Sequence, residues 1–176
     1  MPRRPHLRAL HRRPSPKPAA GVVVLGAVLA ALAGLLTACG DGSVHVDRFR
    51  VTAAGHDACP ALLAALPSRV ADQPRRRTSG STYAAAWGSK AIVLRCGVGR
   101  PADYDKFSAC QRANGVDWFV PEKVMEDQSA NVVMTTIGRS PAVEVRVPAS
   151  YRPATAPMVD LAKAIRAHTR EIAPCS

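Results

Sequence analysis

Five histidines, five cysteines and thirteen carboxylates are the groups in this 176-residue sequence that could carry out chemistry. Nucleophilic catalysis needs a histidine held beside a Ser or Cys hydroxyl or thiol. Past the first 38 residues there are three histidines: His45, His56 and His168. The first two fall in a polar stretch. His168 falls on the apolar stripe of a predicted helix, where a packed, hydrogen-bonded imidazole is the usual finding. His168 and Glu171 lie three positions apart, but two groups do not complete a metal site. Acid–base work by paired carboxylates would need two of them in one cleft, one with a raised pKa. Asp117 and Glu144 sit in predicted strands, and Glu144 lies on the polar side of an alternating strand, where a basic cross-strand partner is expected. No phosphate loop, dinucleotide fingerprint or nucleophile elbow is present. No C-x-x-C occurs, so neither a cofactor nor a metal is implied.

The cysteines say more. Cys39 closes Leu36-Thr37-Ala38-Cys39 at the end of an apolar stretch, Ala19 to Leu36, which follows a basic segment reaching Lys17. That three-part build is a secretory signal, and its last four residues resemble the lipobox of bacterial lipoproteins, in which the thiol is diacylated and the bond before it cut. The alternative is an uncleaved single-pass helix, since eighteen mostly apolar residues just cross a hydrocarbon core of about 30 Å. Either way the remainder faces outward. Four cysteines then remain, Cys59, Cys96, Cys110 and Cys175, an even number at wide spacing, which outside the cytoplasm reads as two disulfides. Of the three possible pairings, spacing favours Cys96–Cys110, only 14 positions apart, and Cys59–Cys175, which would tie the two ends of the domain together.

The formal charge of +11 is concentrated at the start. Residues 1–38 hold Arg3, Arg4, Arg8, Arg12, Arg13 and Lys17 without an acid, and the rest carries 18 basic against 13 acidic side chains. That balance is ordinary for solubility and excludes a nucleic-acid footprint.

The elements that must position these groups follow from periodicity and punctuation. Residues 1–38 read as signal peptide, 39–56 as a tether with a short strand near Val46–Val51, and 57–176 as one globular domain. Cys59-Pro60 suits the start of a helix with Leu62, Leu63, Leu66 and Val70 on one stripe. Gln73 to Ser81 reads as a loop. Thr82–Trp87 and Lys90–Val98 form a hairpin around Gly88-Ser89, with Ile92, Leu94, Cys96 and Val98 facing the core. A short helix is expected over Tyr104–Arg112 with Phe107 inward, then a strand at Val116–Val120. A second hairpin joins Asn131–Ile137 to Ala142–Val147. Pro157 to Ile172 is a helix with Met158, Leu161, Ile165 and Ile172 on its apolar side. The expected fold is α+β: an antiparallel sheet of about five strands with N- and C-terminal helices packed on one face.

Arg76, Arg77, Trp87, Asp117, Trp118 and Arg139 remain as a polar and aromatic set able to form a binding face, since Arg and Trp are over-represented where partners are held. The competing reading places both tryptophans in the core and leaves the arginines solvated. Arg75 to Arg77 are also placed to approach anionic headgroups or wall polymers.

The order of these features resembles a known family. The lipobox, Cys59-Pro60, Leu66-Pro67, Arg76-Arg77-Thr78, Trp87-Gly88, Leu94-Arg95-Cys96-Gly97-Val98, Asn114-Gly115-Val116-Asp117-Trp118, Thr136-Ile137-Gly138-Arg139 and Val143 to Pro148 are similar to the actinobacterial domain of unknown function 3515. The resemblance implies a secreted or lipid-anchored envelope protein and no particular activity. Members of the family are often encoded near a D-alanine–D-alanine ligase, so the resemblance implies a cell-wall context by association only. The expectation is therefore an extracytoplasmic lipoprotein held to the membrane by Cys39. Its domain binds an envelope protein or wall component, without nucleic acid. The alternative is a hydrolase acting on wall material with Asp117 as acid or base.

Overall fold

The computed structural model describes residues 42–175. Cys39 and the signal segment lie outside the described residues. Among the described residues no helix is long and apolar enough to cross a membrane.

Strand β1 (Val44–Val46) opens the fold and pairs in parallel with β4 (Thr78–Gly80). Helix α1 follows over Ala53–Ala65. Eight strands make the main sheet: β2 (Arg69–Val70), β3 (Gln73–Arg76), β5 (Ala84–Trp87), β6 (Ile92–Val98), β7 (Cys110–Ala113), β8 (Val116–Phe119), β9 (Val132–Ile137) and β11 (Ala142–Val147). Their spatial order is β2-β3-β5-β6-β11-β9-β8-β7, and every neighbouring pair is antiparallel. A short helix α2 (Glu122–Glu126) bridges β8 and β9, and α3 (Thr155–His168) follows the sheet. A two-stranded patch of β10 (Arg139–Ser140) with β12 (Arg170–Glu171) ties down the C-terminal segment.

Alternation decides which face of the sheet is dry. Val143, Val145 and Val147 are buried while Glu144 and Arg146 are not, and Val132 and Met134 match them on β9. These side chains join Leu62 of α1 and Leu161 and Ile165 of α3 in one core, so both long helices pack on the same face. The α+β reading is thus observed, with eight strands in place of about five.

The differences from expectation are local and have causes. Helix α1 begins six residues before Cys59, because the Thr52 hydroxyl caps it by accepting from Gly55 N. Pro60 is accommodated inside the helix. Residues 44–46 and 53–56, read as tether, therefore belong to the folded body. The stretch from Gln73 to Ser81 is not a free loop: β3 and β4 form there through main-chain bonds such as Arg75 N to Ser68 O and Gly88 N to Pro74 O. The first hairpin turn spans the four residues 88–91, since Trp87 pairs with Ile92, and Gly88 has the positive φ that only glycine adopts without strain. The expected helix over Tyr104–Arg112 is absent. Asn114-Gly115, both at positive φ, instead turns β7 back along β8, the geometry of a tight hairpin, and Phe107 is 83% exposed. Helix α3 ends at His168, and Ile172 lies beyond it, exposed.

The disulfides are Cys59–Cys96 and Cys110–Cys175, with Cα–Cα distances of 5.7 and 6.3 Å. This overturns the pairing argued from spacing. Cys96 on β6 faces α1, whereas β7 lies four strand positions away, about 19 Å across the sheet, well outside the roughly 7 Å Cα limit for a bridge. Cys110 is registered opposite Phe119, on the face turned away from the helices, and the segment after β12 reaches it there. The four cysteines are those expected; the short sequence gap misled because the intervening chain runs to the far edge of the sheet.

Candidate functional site

The six residues expected to share a binding face do not come together. Arg76 and Trp87 lie on β3 and β5, whereas Asp117 and Trp118 lie on β8, four strand positions or about 19 Å further across the sheet. Arg139 is on β10, outside the main sheet.

Most of them are used by the fold. Trp87 is fully buried and its indole N–H donates to Pro67 O at 3.0 Å. Trp118 is also fully buried, and its Nε1 has no partner among the described residues. Arg139 is 8% exposed. Its Nε donates to Thr169 Oγ1 at 2.8 Å, Nη2 to Thr169 O at 3.0 Å and Nη1 to Glu171 Oε2 at 3.1 Å. These three bonds clamp β10 to the end of α3 and β12. Asp117 accepts from Arg112 Nη1 at 3.1 Å and from Cys175 N at 3.1 Å, so its lone pairs hold a neighbour and the C-terminus. Glu144 faces Arg95 directly across β6 and pairs with it at 3.6 Å, as its place on the polar side of β11 required.

The members least taken into the core are the arginines of β3 and its edge, Arg76 half-buried and Arg77 exposed. Arg76 donates to Gly88 O at 3.3 Å and to Gly42 O. Arg75 donates to Leu66 O and Leu63 O and stacks 5.5 Å over Trp87; partial burial pulls its pKa down from the usual arginine value.

Two adjoining clefts were not foreseen. One, of about 520 Å³, lies between the β9–β10 turn and the C-terminal segment, lined by Tyr104, Ile137, Pro141 and Ile172 with Arg100 and Lys106 at its rim. The second, of about 670 Å³, shares Val98, Gly99 and Arg100 with it and extends over the sheet face away from the helices, past Phe49, Phe119 and Val133. Tyr104 and Phe119 meet edge to face at 5.2 Å, and Arg100 stacks 4.5 Å over Tyr104. The Tyr104 hydroxyl lies 3.5 Å from Cys175 Sγ. Nearby, Asp105 is held below the usual carboxylate range by the Phe107 amide and then the Ser108 hydroxyl. Apolar walls with a few polar groups at the rim suit retention of a ligand or peptide segment. The sequence signal for this region was hidden, because Tyr104, Ile137 and Ile172 converge from three separate segments.

A hydroxyl, an imidazole and a carboxylate do line up elsewhere. His45 Nδ1 lies 3.3 Å from Ser79 Oγ and its Nε2 lies 3.4 Å from Asp47 Oδ1. The His45 and Asp47 side chains are 69% and 85% exposed, so water screens the carboxylate that would have to stabilise an imidazolium. His56 is taken up by Tyr83, 2.9 Å away and edge to face. Among the described residues no three His, Cys, Asp or Glu groups are placed to hold a metal.

Fold and site together define a disulfide-stapled α+β domain, an eight-stranded antiparallel sheet under two helices, with clefts on its open side. The chain belongs to the family described as protein of unknown function DUF3515, which matches residues 19–173. No curated protein and no solved structure matches it.

Proposed function

We propose that this protein is an exported lipoprotein of the bacterial cell envelope, anchored by Cys39 to the outer face of the cytoplasmic membrane, whose domain binds a wall component or another envelope protein. The observation that carries the reading is the cysteine accounting. Cys59, Cys96, Cys110 and Cys175 are consumed in two disulfides, bonds that persist in oxidising compartments. The fifth, Cys39, stands where a lipobox requires it, after Leu36-Thr37-Ala38 and an apolar stretch. The disposition of the polar groups supports binding over catalysis: Asp117, Glu144 and Arg139 hold structural partners, and of the two carboxylates that line the clefts, Asp103 and Glu144, the second is paired with Arg95.

The test is metabolic labelling with a fatty-acid analogue. Native protein should take up label, and Cys39→Ser should not, accumulating as precursor or as released protein; unchanged labelling of the variant would end the lipoprotein reading. A hydrolase acting on wall material is the competing reading, and the Ser79–His45–Asp47 line is what favours it. Release of wall fragments by native protein, abolished in Ser79→Ala, would establish it.

A further inference from the structure

We infer that the arginine-bearing edge formed by β2, β3 and the tip of the β5–β6 hairpin is the surface that rests on the anionic phospholipid headgroups of the membrane carrying the anchor. The inference rests on the anchor reading above and adds which side of the domain is turned to the lipid.

Three observations meet at this edge. Arg69, Arg75, Arg76 and Lys90 stand along this edge, and the acids beside them are Asp72 and, from α3, Asp160, whose Oδ2 accepts from Ala71 N at 2.8 Å. The guanidiniums of Arg69, Arg75 and Arg76 donate to the backbone carbonyls of Asp72, of Leu66 and Leu63, and of Gly88 and Gly42. A carbonyl fixes the head without neutralising it. The guanidinium–carboxylate pairs Arg95–Glu144, Arg112–Asp117 and Arg139–Glu171 involve none of Arg69, Arg75 and Arg76. The edge is therefore a preorganised positive surface.

Its place in the chain is the second observation. Arg76 bridges Gly88 at the hairpin tip to Gly42, and Val44 N donates to Arg77 O, so the described chain begins against this edge. Only Gly40 and Asp41 stand between Cys39 and Gly42, and three peptide steps span at most about 11 Å. A Debye length at physiological ionic strength is about 8 Å, comparable with that maximum reach, so the tether allows Arg76, bonded to Gly42 O, to come within the headgroup potential.

Rigidity is the third. Tyr151 fixes the tip by meeting Ser89 Oγ and Lys90 N, each at 3.2 Å, and Arg75 stacks on buried Trp87. Little order is lost on contact, so the attraction of the patch adds to the hold of the diacylated anchor. Each basic residue near an anionic surface contributes about fivefold in partitioning.

The experiment uses the full chain, recovered from membranes in detergent and reconstituted into vesicles of phosphatidylglycerol or of phosphatidylcholine alone, with amine acetylation read by mass spectrometry. Lys90 is the reporter at the edge; exposed Lys106 and Lys123, on the β7–β8 side, are internal controls. Lys90 should label at least fivefold more slowly on phosphatidylglycerol than on phosphatidylcholine and recover in about 0.5 M salt, which cuts the Debye length to roughly half its physiological value, while the two controls stay constant. Arg69→Gln combined with Arg76→Gln should return Lys90 most of the way to its phosphatidylcholine rate. Equal labelling of all three lysines on floating, anchored protein overturns the inference and leaves the anchor standing. Protection of Lys90 that ignores salt and the double variant also overturns it, since charge would then not be the cause. Failure of the chain to float with vesicles overturns the anchor reading, and the inference with it.

Discussion

Replacing Arg139 with methionine separates a structural guanidinium from a binding one. The side chain is 8% exposed, and all three of its bonds end on the segment just after α3. Methionine fills most of the volume but leaves Thr169 O and Thr169 Oγ1 without their donor, in a residue itself 7% exposed. A buried acceptor left unsatisfied costs about 1–3 kcal/mol, and Thr169 Oγ1 keeps its own bond to Ile165 O at 2.7 Å, which limits the damage there. Glu171 is half exposed and regains water, so its lost ion pair adds under about 1 kcal/mol. The expected total is about 2–4 kcal/mol, or a fall in Tm near 10 °C for a domain of this size. Urea titration of the disulfide-intact protein measures it directly, with Glu171→Gln as the mild control at under about 1 kcal/mol. A loss below about 0.5 kcal/mol for Arg139→Met, of the kind ordinary surface substitutions give, would refute the clamp and return Arg139 to the surface as a residue available to a partner.

Peptide mapping without reduction should recover Cys59 joined to Cys96 and Cys110 joined to Cys175. The enclosed separations of 37 and 65 residues predict stabilisation of about 4 kcal/mol each from loop closure, read as the loss in the corresponding double-alanine variants. Trp87→Phe should cost about 1 kcal/mol more than Trp118→Phe in denaturant titration, because only the first removes a made hydrogen bond and orphans Pro67 O. Asp105, with its pKa depressed by the Phe107 amide and the Ser108 hydroxyl, stabilises its turn at pH values above the ordinary Asp range and loses that contribution as pH falls through its own lower pKa. The Phe107 amide should show its hydrogen-bonded NMR shift near neutrality and lose it on acidification through that range; an unchanged shift would contradict the bond.

What the sequence made legible was the part governed by side-chain alternation. Val143, Val145 and Val147 against Glu144 and Arg146 announced β11, and Ile92, Leu94 and Cys96 announced β6, because both strands have one dry face. The strands that escaped have no such face. Gln73–Arg76 and Thr78–Gly80 are held by main-chain bonds without a buried side chain, and Arg69–Val70 buries Val70 alone, so Pro74, the arginines and Gly80 read as loop. At Cys110–Ala113, Phe107 suggested an inward helical residue, while Asn114-Gly115 carried the hairpin signal that decides the region. The proposed binding set failed for a different reason. Residue type says that Arg and Trp hold partners, but only strand order reveals that β5 and β8 are far apart and that Arg139 spends its donors on Thr169 and Glu171.

The position of β11 also bears on the order in which the fold can assemble. It sits between β6 and β9, yet it is the last strand of the main sheet to be synthesised. Until Val147 is available, the sheet exists only as two half-sheets, β2-β3-β5-β6 and β9-β8-β7. Each ends in an unpaired inner strand, β6 on one side and β9 on the other. Such edges are templates for pairing with other chains, and non-local closure of this kind is slow. The Cys59–Cys96 bond needs nothing beyond the first half and can fix α1 on β6 early, whereas Cys110–Cys175 must wait for the last residues. The two halves of the sheet can be joined only once β11 is there to fill the gap between them, and a chain truncated before residue 142 would be left with both inner edges open to aggregation.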